Sequence, residues 1–373
     1  MKARESYLDW NATAPLKEEA RAAIAETLLL CGNPSSIHRF GREARRRLER
    51  ARGFVAALCG AEPQSVLFSS GGTEANHQAL FGCGRGRVLV SAVEHPSVLE
   101  AVPGAEKIPV DGEGLICLDA LEDLLRKEGE TAVVSVMLAN NETGVIEPVA
   151  EAARIAHRNG ALFHCDAVQA AGRIAVDCAA LGADFLTLSA HKIGGSMGVG
   201  ALVIADGSPF FPFVRGGGQE RRRRAGSENL PGIAGFGAAA RAADIGAYER
   251  VRALRQRLEE EIVARAPDCV ILGAAAPRLP NTLAVAMPGV AAETQVIALD
   301  LEGVMVSAGA ACSSGKIDKS PVVLAMGLPP EIALSTLRVS LGWSTTEAEI
   351  AHFLDAYLAL YRRKRPRQGA LAA

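Results

Sequence analysis

No two of the eight cysteines fall in a CxxC pair: Cys31, Cys59, Cys83, Cys117, Cys165, Cys178, Cys269 and Cys312 stand far apart and show no zinc-ligand spacing. A disulfide scaffold and a metal centre are therefore not expected, and free thiols in a reducing compartment are. Nor is there an apolar run of about eighteen residues, the length a bilayer-spanning helix needs. Met1 to Pro15 carries Lys2 and Arg4 but no apolar stretch behind them to form a signal-peptide core. The expected location is the cytoplasm, with no membrane partner. Charge of one sign is lacking as well. A formal charge of −2 leaves no basic excess to neutralise phosphates, so nucleic acid is not an expected partner. The basic tail Arg362 to Arg367 reads as a solvated end. No internal repeat is visible.

What is present is a long chain with the balance of a soluble globular protein, 49% hydrophobic and 22% charged. Its 373 residues exceed one ordinary core and suggest two domains. From about Ala20 to Ile245 short apolar runs alternate with helical patterns, with candidate strands at Ser65 to Ser69, Arg87 to Ser91, Ala132 to Leu138, Ala161 to Asp166, Asp184 to Leu188 and Gly200 to Ile204. Each is followed by Gly, Asn, His or Ser, as where strand ends of an open sheet carry ligand-binding loops. The expectation is an α/β fold: a large domain over 16–245 with a mostly parallel seven-stranded sheet flanked by helices, and a smaller α+β domain over 246–373 joined by segment 1–15. One Arg/Glu-rich helix over Arg241 to Ala264 is predicted to link them. A strand at Asn281 to Ala286, a helix near Glu293 to Leu301, a strand at Val304 to Ser307 and a small-residue loop around Cys312 follow.

Three of these strand ends together match what pyridoxal phosphate asks of a protein: a lysine for a Schiff base, an acid at its pyridinium nitrogen and a cradle for its phosphate. Lys192, in Ser189-Ala-His-Lys192, follows an apolar run and precedes Ile193-Gly194-Gly195, where the backbone turns; alone it could equally be a solvated loop lysine. Asp166 ends Ala161-Leu-Phe-His-Cys-Asp, with Gln169 three residues on. Asp166 would keep the ring nitrogen protonated and Gln169 would hydrogen-bond the ring hydroxyl, although a helix N-cap is the plainer alternative for Asp166. Ser69-Ser-Gly-Gly72-Thr73 lies between a strand and a helix, where free N–H groups and the helix dipole favour an anion. Ser189, His191 and Ser227 offer further donors; the run Arg221 to Arg224 beside Ser227 reads as solvated. His95, in Glu94-His-Pro96, could stack on the ring and relay protons, or be structural. Cys312, in Ser307-Ala-Gly-Ala-Ala-Cys-Ser-Ser-Gly315, is the cysteine expected to be exposed, as a nucleophilic thiolate must be; the other seven sit mostly in apolar or helical contexts. Arg338 could clamp a carboxylate through two N–H groups, or be a surface strand arginine.

The chain resembles the cysteine desulfurase family of the class V aminotransferase group almost end to end. The likeness rests on YLDWNATAP, GNPSSIH, SSGGTEANHQA, EHPSV, MLANNETG, FHCDAVQAAG, LSAHKIGG, GGGQE followed by RAGS, SAGAACSSG and TLRVSLG. The resemblance implies a fold type I pyridoxal-phosphate enzyme and a homodimer. Lys192 would be the Schiff-base lysine, Cys312 the persulfide-forming nucleophile and Asp166 the partner of the pyridinium nitrogen. Gln169 and Asn141 would contact the ring, with His95 over its face. Gly72, Thr73, Ser189 and His191 would hold the phosphate, Ser227 would reach it from the partner subunit, and Arg338 and Asn33 would bind the substrate carboxylate. The implied reaction takes sulfur from L-cysteine, leaves L-alanine, and passes the sulfur from Cys312 to an acceptor protein such as an iron–sulfur scaffold, where Cys312 could also ligate a cluster transiently. A selenocysteine lyase or another class V lyase or aminotransferase is the nearest alternative, and a non-catalytic relative would lack the lysine, aspartate or cysteine that are all present. Departures from the family pattern are Ser196 for proline, Arg222 for glycine, Ser227 for threonine, and Asp318-Lys-Ser-Pro321 for an EPSH-like stretch.

Overall fold

The computed structural model describes residues 5–127, 131–309 and 319–364. Seven strands form the large sheet: β1 (Val66–Ser69), β2 (Arg87–Ser91), β3 (Glu106–Ile108), β4 (Ala132–Ser135), β5 (Leu162–Asp166), β6 (Phe185–Ser189) and β7 (Gly200–Ile204). They lie in the order β1-β7-β6-β5-β4-β2-β3. β2 to β6 pair in parallel, and β7 alone runs against its neighbours β1 and β6. The α/β fold with a mostly parallel seven-stranded sheet is as expected. β3 was not among the candidate strands; it is a short edge strand reading Glu-Lys-Ile, too polar to stand out as an apolar run.

The strand residues are buried on both faces, as parallel strands covered by helices require. The pleat divides them between two cores. Phe68, Leu89, Val134, Phe163, Leu186 and Val203 point to one, and Leu67, Val90, Val133, Phe185, Leu202 and Ile204 to the other. Burying each such side chain contributes roughly 1.5–3 kcal/mol. On the first face α1 (Glu18–Leu28) and α2 (Arg39–Leu58) pack against α3 (Leu230–Arg241). Gly235 and Gly237 make that approach possible, because a Cβ would lie 2.6 Å from Ile24 at the first and 2.6 Å from the Ala51 backbone at the second.

The helix expected over Arg241 to Ala264 begins later, at Ala247. Arg241 closes α3, and α4 (Ala247–Arg265) starts after a break at residues 242–246. Asp244 and Gly246 interrupt the helical run; Gly246 is the N-cap residue, and the Asp244 carboxylate accepts the Ala247 N–H at 3.3 Å. Beyond it, Val270–Ile271, Thr282–Ala286, Ser307–Ala308 and Thr336–Ser340 form a four-stranded antiparallel sheet, while Val304–Met305 pairs in parallel with Ser6–Tyr7 of the N-terminal segment. The strand expected over Val304 to Ser307 is thus split between two sheets. Leu8, Val251, Leu283, Val339, Phe353 and Tyr357 build a separate core there.

Candidate functional site

Because β4 to β6 are parallel, their carboxyl ends converge on one edge, and the turns beyond them carry the chemistry. Asp166 ends β5, Ser189 ends β6 with the Ala190–Lys192 turn directly after it, and His95 follows β2. Ser69 of β1 and Ser189 both pair with Gly200 at the start of β7, so the Ser69–Gly72 turn lies beside them. A cavity of about 230 Å³ opens there. It is lined by Gly72, Thr73, His95, Asn141, Asp166, Gln169, Ser189, His191 and Lys192, together with Asn76, Ser97, Met137, Ala139 and Val168. A larger groove of about 630 Å³ between α1, α2 and α3 is lined by exposed arginines and glutamates and holds none of these residues.

Lys192 donates from Nζ to the carbonyls of Asn11 (2.6 Å) and Ala12 (2.8 Å). Burial, then the positive charges of Arg338 and Arg173, push its amine down to about 7 from an ordinary 10.5; Asp9 and Asp166 oppose them. A neutral, nucleophilic amine is therefore well populated near neutral pH. Asp166 is buried, accepts Asn76 Nδ2 at 2.8 Å on Oδ2 and the Val168 N–H at 2.9 Å on Oδ1. The turn-capping role and a role facing the cavity thus coexist in one carboxylate. Neighbouring Glu94 is wholly buried, accepts the Met137 N–H, and is driven well above the usual carboxylate range by burial and by Asp166.

His95 accepts the Ser97 N–H at 3.1 Å on Nδ1, with the Ser97 hydroxyl at 2.8 Å from the same nitrogen. The Ser97 hydroxyl also accepts Asn76 Nδ2 at 2.9 Å, so one chain of hydrogen bonds joins the imidazole to Asp166. Burial lowers the His95 pKa against the pull of Asp166, and burial with the Lys192 and Arg173 charges takes His191 down to about 4. Both rings are neutral at pH 7.

Arg338 is a buried strand residue rather than a surface one. Its Nη2 donates to Asp9 Oδ1 at 2.7 Å and its Nη1 to the Asn141 carbonyl at 3.2 Å, which leaves its Nε buried without a partner among the described residues. Ser227 and Asn33 do not line the cavity. Ser227 lies beside Ser70 and Glu220 in a separate pocket, and Asn33 is exposed, its side chain capping the Ser35 N–H. Cys312 lies outside the described residues. Among the other cysteines Cys31 is exposed, contrary to expectation, since it sits in the loop after α1; Cys59, Cys83, Cys165 and Cys178 are buried. Nor is the arginine run simply solvated. Glu220 beside it is buried in a two-pronged pair with Arg52 (2.8 Å each), and Arg224 pairs with Glu74 at 2.9 Å.

Sequence reasoning gave no role to Asp9 or Asn11, although YLDWNATAP was noted, nor to Asn76, Ser97 or Arg173. Each acts through a backbone carbonyl or another side chain, and no local pattern marks such a partner.

The phosphate end suits an anion, since Gly72 and Thr73 open the helix Gly72–Gly82, where the first N–H groups have no intrahelical partner. A Cβ at Gly72 would sit 3.2 Å from Val168. The residues present thus fit a ring with a phosphate at one end and a carbonyl carbon near Lys192.

The class-V aminotransferase family matches residues 6–353. A cysteine desulfurase of Cereibacter sphaeroides is 45% identical over 364 residues, covering 94% of each chain. The chain belongs to the cysteine desulfurase family. A cysteine desulfurase IscS of Dictyoglomus turgidum is 42% identical and covers 94% of this chain and 93% of its own. A NifS-like protein of Rickettsia africae superposes with a TM-score of 0.89 at 34% identity, over 96% of this chain and all of that one. The family consists of pyridoxal-phosphate enzymes, and no helix among the described residues is long and apolar enough to cross a membrane.

Proposed function

We propose that this chain binds pyridoxal phosphate at Lys192 and removes sulfur from L-cysteine, releasing L-alanine and leaving a persulfide on Cys312 that is passed to an acceptor protein, such as an iron–sulfur scaffold, in the cytoplasm. The observation that carries this reading is the depressed Lys192 amine in a cavity shared with Asp166, Gln169 and His95. When bound, pyridoxal phosphate supplies an electron sink for negative charge at the substrate's α-carbon. Asp166 would hold the proton on the ring nitrogen, Gln169 would donate to the ring hydroxyl, Asn141 would lie against the ring, and Gly72, Thr73, Ser189 and His191 would hold the phosphate.

Lys192, whose amine is substantially neutral near pH 7, takes the α-proton at Nζ. His95 would help to deprotonate the substrate thiol. Arg338, with N–H groups beyond those given to Asp9 and Asn141, would bind the substrate carboxylate, with Asn33 as a further donor. The Cys312 thiolate attacks the substrate sulfur, forming an S–S bond as the C–S bond breaks, and the carbon left behind is protonated to alanine. Ser227 would complete the phosphate site of the second subunit in a homodimer. Residues 16–245 and 246–373 would be the two domains, with 1–15 joining the smaller.

Mass spectrometry of the enzyme after addition of PLP and L-cysteine is expected to find added sulfur on Cys312 and stoichiometric alanine in solution. Unchanged alanine and sulfide release from Cys312→Ala would remove Cys312 from the reaction. Turnover on selenocysteine far above that on cysteine would favour a lyase of the same family instead.

A further inference from the structure

Arg173 is among the largest fully buried side chains, yet among the described residues no carboxylate pairs with it. Its Nη1 donates to the Gln169 backbone carbonyl at 2.9 Å and to Gln169 Oε1 at 2.5 Å, and its Nη2 to the Trp10 carbonyl at 3.2 Å. The Tyr248 hydroxyl is a further neighbour. A buried, unneutralised guanidinium is expensive to keep, and its surroundings suggest what retains it.

A guanidinium can only donate. The Gln169 atom that meets it must therefore be oxygen, which turns the amide nitrogen to the opposite side. There Gln169 Nε2 donates to the Asn11 carbonyl at 3.1 Å, the same carbonyl that accepts Lys192 Nζ. The second N–H of that amide is left for the cavity that Gln169 lines. With the amide reversed, its oxygen would face the Asn11 carbonyl oxygen, a repulsive contact. Gly172, the residue before Arg173, and Tyr248 line a small crevice together with Lys192, so the charge sits close to the amine.

We propose that Arg173 is a positioning residue of this site: it fixes the Gln169 amide with its N–H edge toward Asn11 and the cavity, and it holds a permanent positive charge beside Lys192. The inference rests on the cofactor reading above only for the amide. The charged and titratable groups that face Lys192 are Arg338, Arg173, Asp9, Asp166, His95 and His191, with Lys17, Asp244 and Tyr248 in the crevice it shares with them. Of these, Arg173 and Arg338 are the cations that favour the neutral amine, and Arg338 is already paired with Asp9. Among the described residues Arg173 has no such counter-charge.

The test compares Arg173→Met with Arg173→Lys. In cofactor-free protein, the rate of Lys192 acetylation is followed against pH by peptide mass spectrometry. Arg173→Met is expected to raise the midpoint by about one pH unit, because a like charge has gone. Arg173→Lys, which keeps the charge, should stay within a few tenths. An unchanged midpoint in Arg173→Met, or equal shifts in both variants, overturns the electrostatic role; a purely structural arginine would give one of those results. The affinity for PLP is measured on the same proteins, and Arg173→Met should bind roughly tenfold more weakly, about one hydrogen bond's worth. Unchanged affinity overturns the amide role. If Arg173→Met does not fold by circular dichroism, Arg173→Gln, uncharged but able to hydrogen-bond the Trp10 carbonyl, is judged by the same two criteria. A wild-type chain that takes up no PLP would defeat the proposed function, while the acetylation profile would still decide the charge of Arg173.

Discussion

Two lysines line one crevice, and they differ in what surrounds them. Lys17 and Lys192 both border the crevice with Trp343 and Tyr248, and both donate to backbone carbonyls, Lys17 to Ala242 at 2.8 Å. Burial lowers the pKa of each. Around Lys17 the charged neighbours are acids, Glu19 and Asp244, which oppose that shift, and its Nζ sits 4.1 Å over the Trp343 ring. Around Lys192 two arginines add to it, and the amine reaches about 7. Burial alone makes a lysine a structural clasp; burial beside cations makes it a nucleophile and base.

Replacing each lysine breaks this comparison most sharply. Lys192→Ala is expected to abolish cysteine turnover, by roughly three orders of magnitude or more given the usual worth of a positioned acid–base group. Lys17→Ala should keep turnover within a few-fold and cost on the order of 1 kcal/mol of stability through the lost cation–π contact and hydrogen bond. Alanine release and urea unfolding on both variants check the pair; equal losses of activity would erase the distinction.

A smaller effect concerns pH. The folded chain holds the Lys192 pKa near 7 against an ordinary 10.5, so between those values the unfolded chain binds more protons. Stability of the cofactor-free protein should therefore rise with pH from about 7 toward 10, where the penalty for burying a charge disappears. In Lys192→Met that slope should flatten, and in Lys17→Met flatten less. Thermal midpoints across that range measure it, and a slope unchanged by Lys192→Met would contradict the depressed amine.

The smallest expected change lies away from both lysines. Glu220, Arg221 and Arg222 carry φ of 44°, 56° and 65°, left-handed backbone on side chains that resist it. Arg222 stands where the family usually has glycine. Arg222→Gly should stabilise the fold by about 0.5–1 kcal/mol, read from chemical denaturation, without altering Lys192 titration.

Much of this was legible in the sequence. Six of the seven large-sheet strands were placed from apolar runs, because strands covered on both faces must be nearly continuously apolar. Lys192, Asp166, Gln169, His95 and the Gly72–Thr73 turn were singled out because ligand groups follow such strands. The break at residues 242–246 lay within a charge pattern that still reads as helix. Ser227 and Asn33 do not line the cavity of their own chain; Ser227 was expected to act from the partner subunit.

By itself the sequence determined which side chains could do chemistry and on which strand ends they would sit, because periodicity and turn residues are local properties. Only the tertiary structure decided what those side chains are. Asn11, Arg173, Asp9 and Arg338 come from segments far apart in the chain, and only their meeting places a carbonyl under Lys192, two cations near it and a Gln169 amide whose oxygen is held by Arg173. Proton affinity depends on burial and on charges a few ångströms away, and neither is written in the residues adjacent to Lys192.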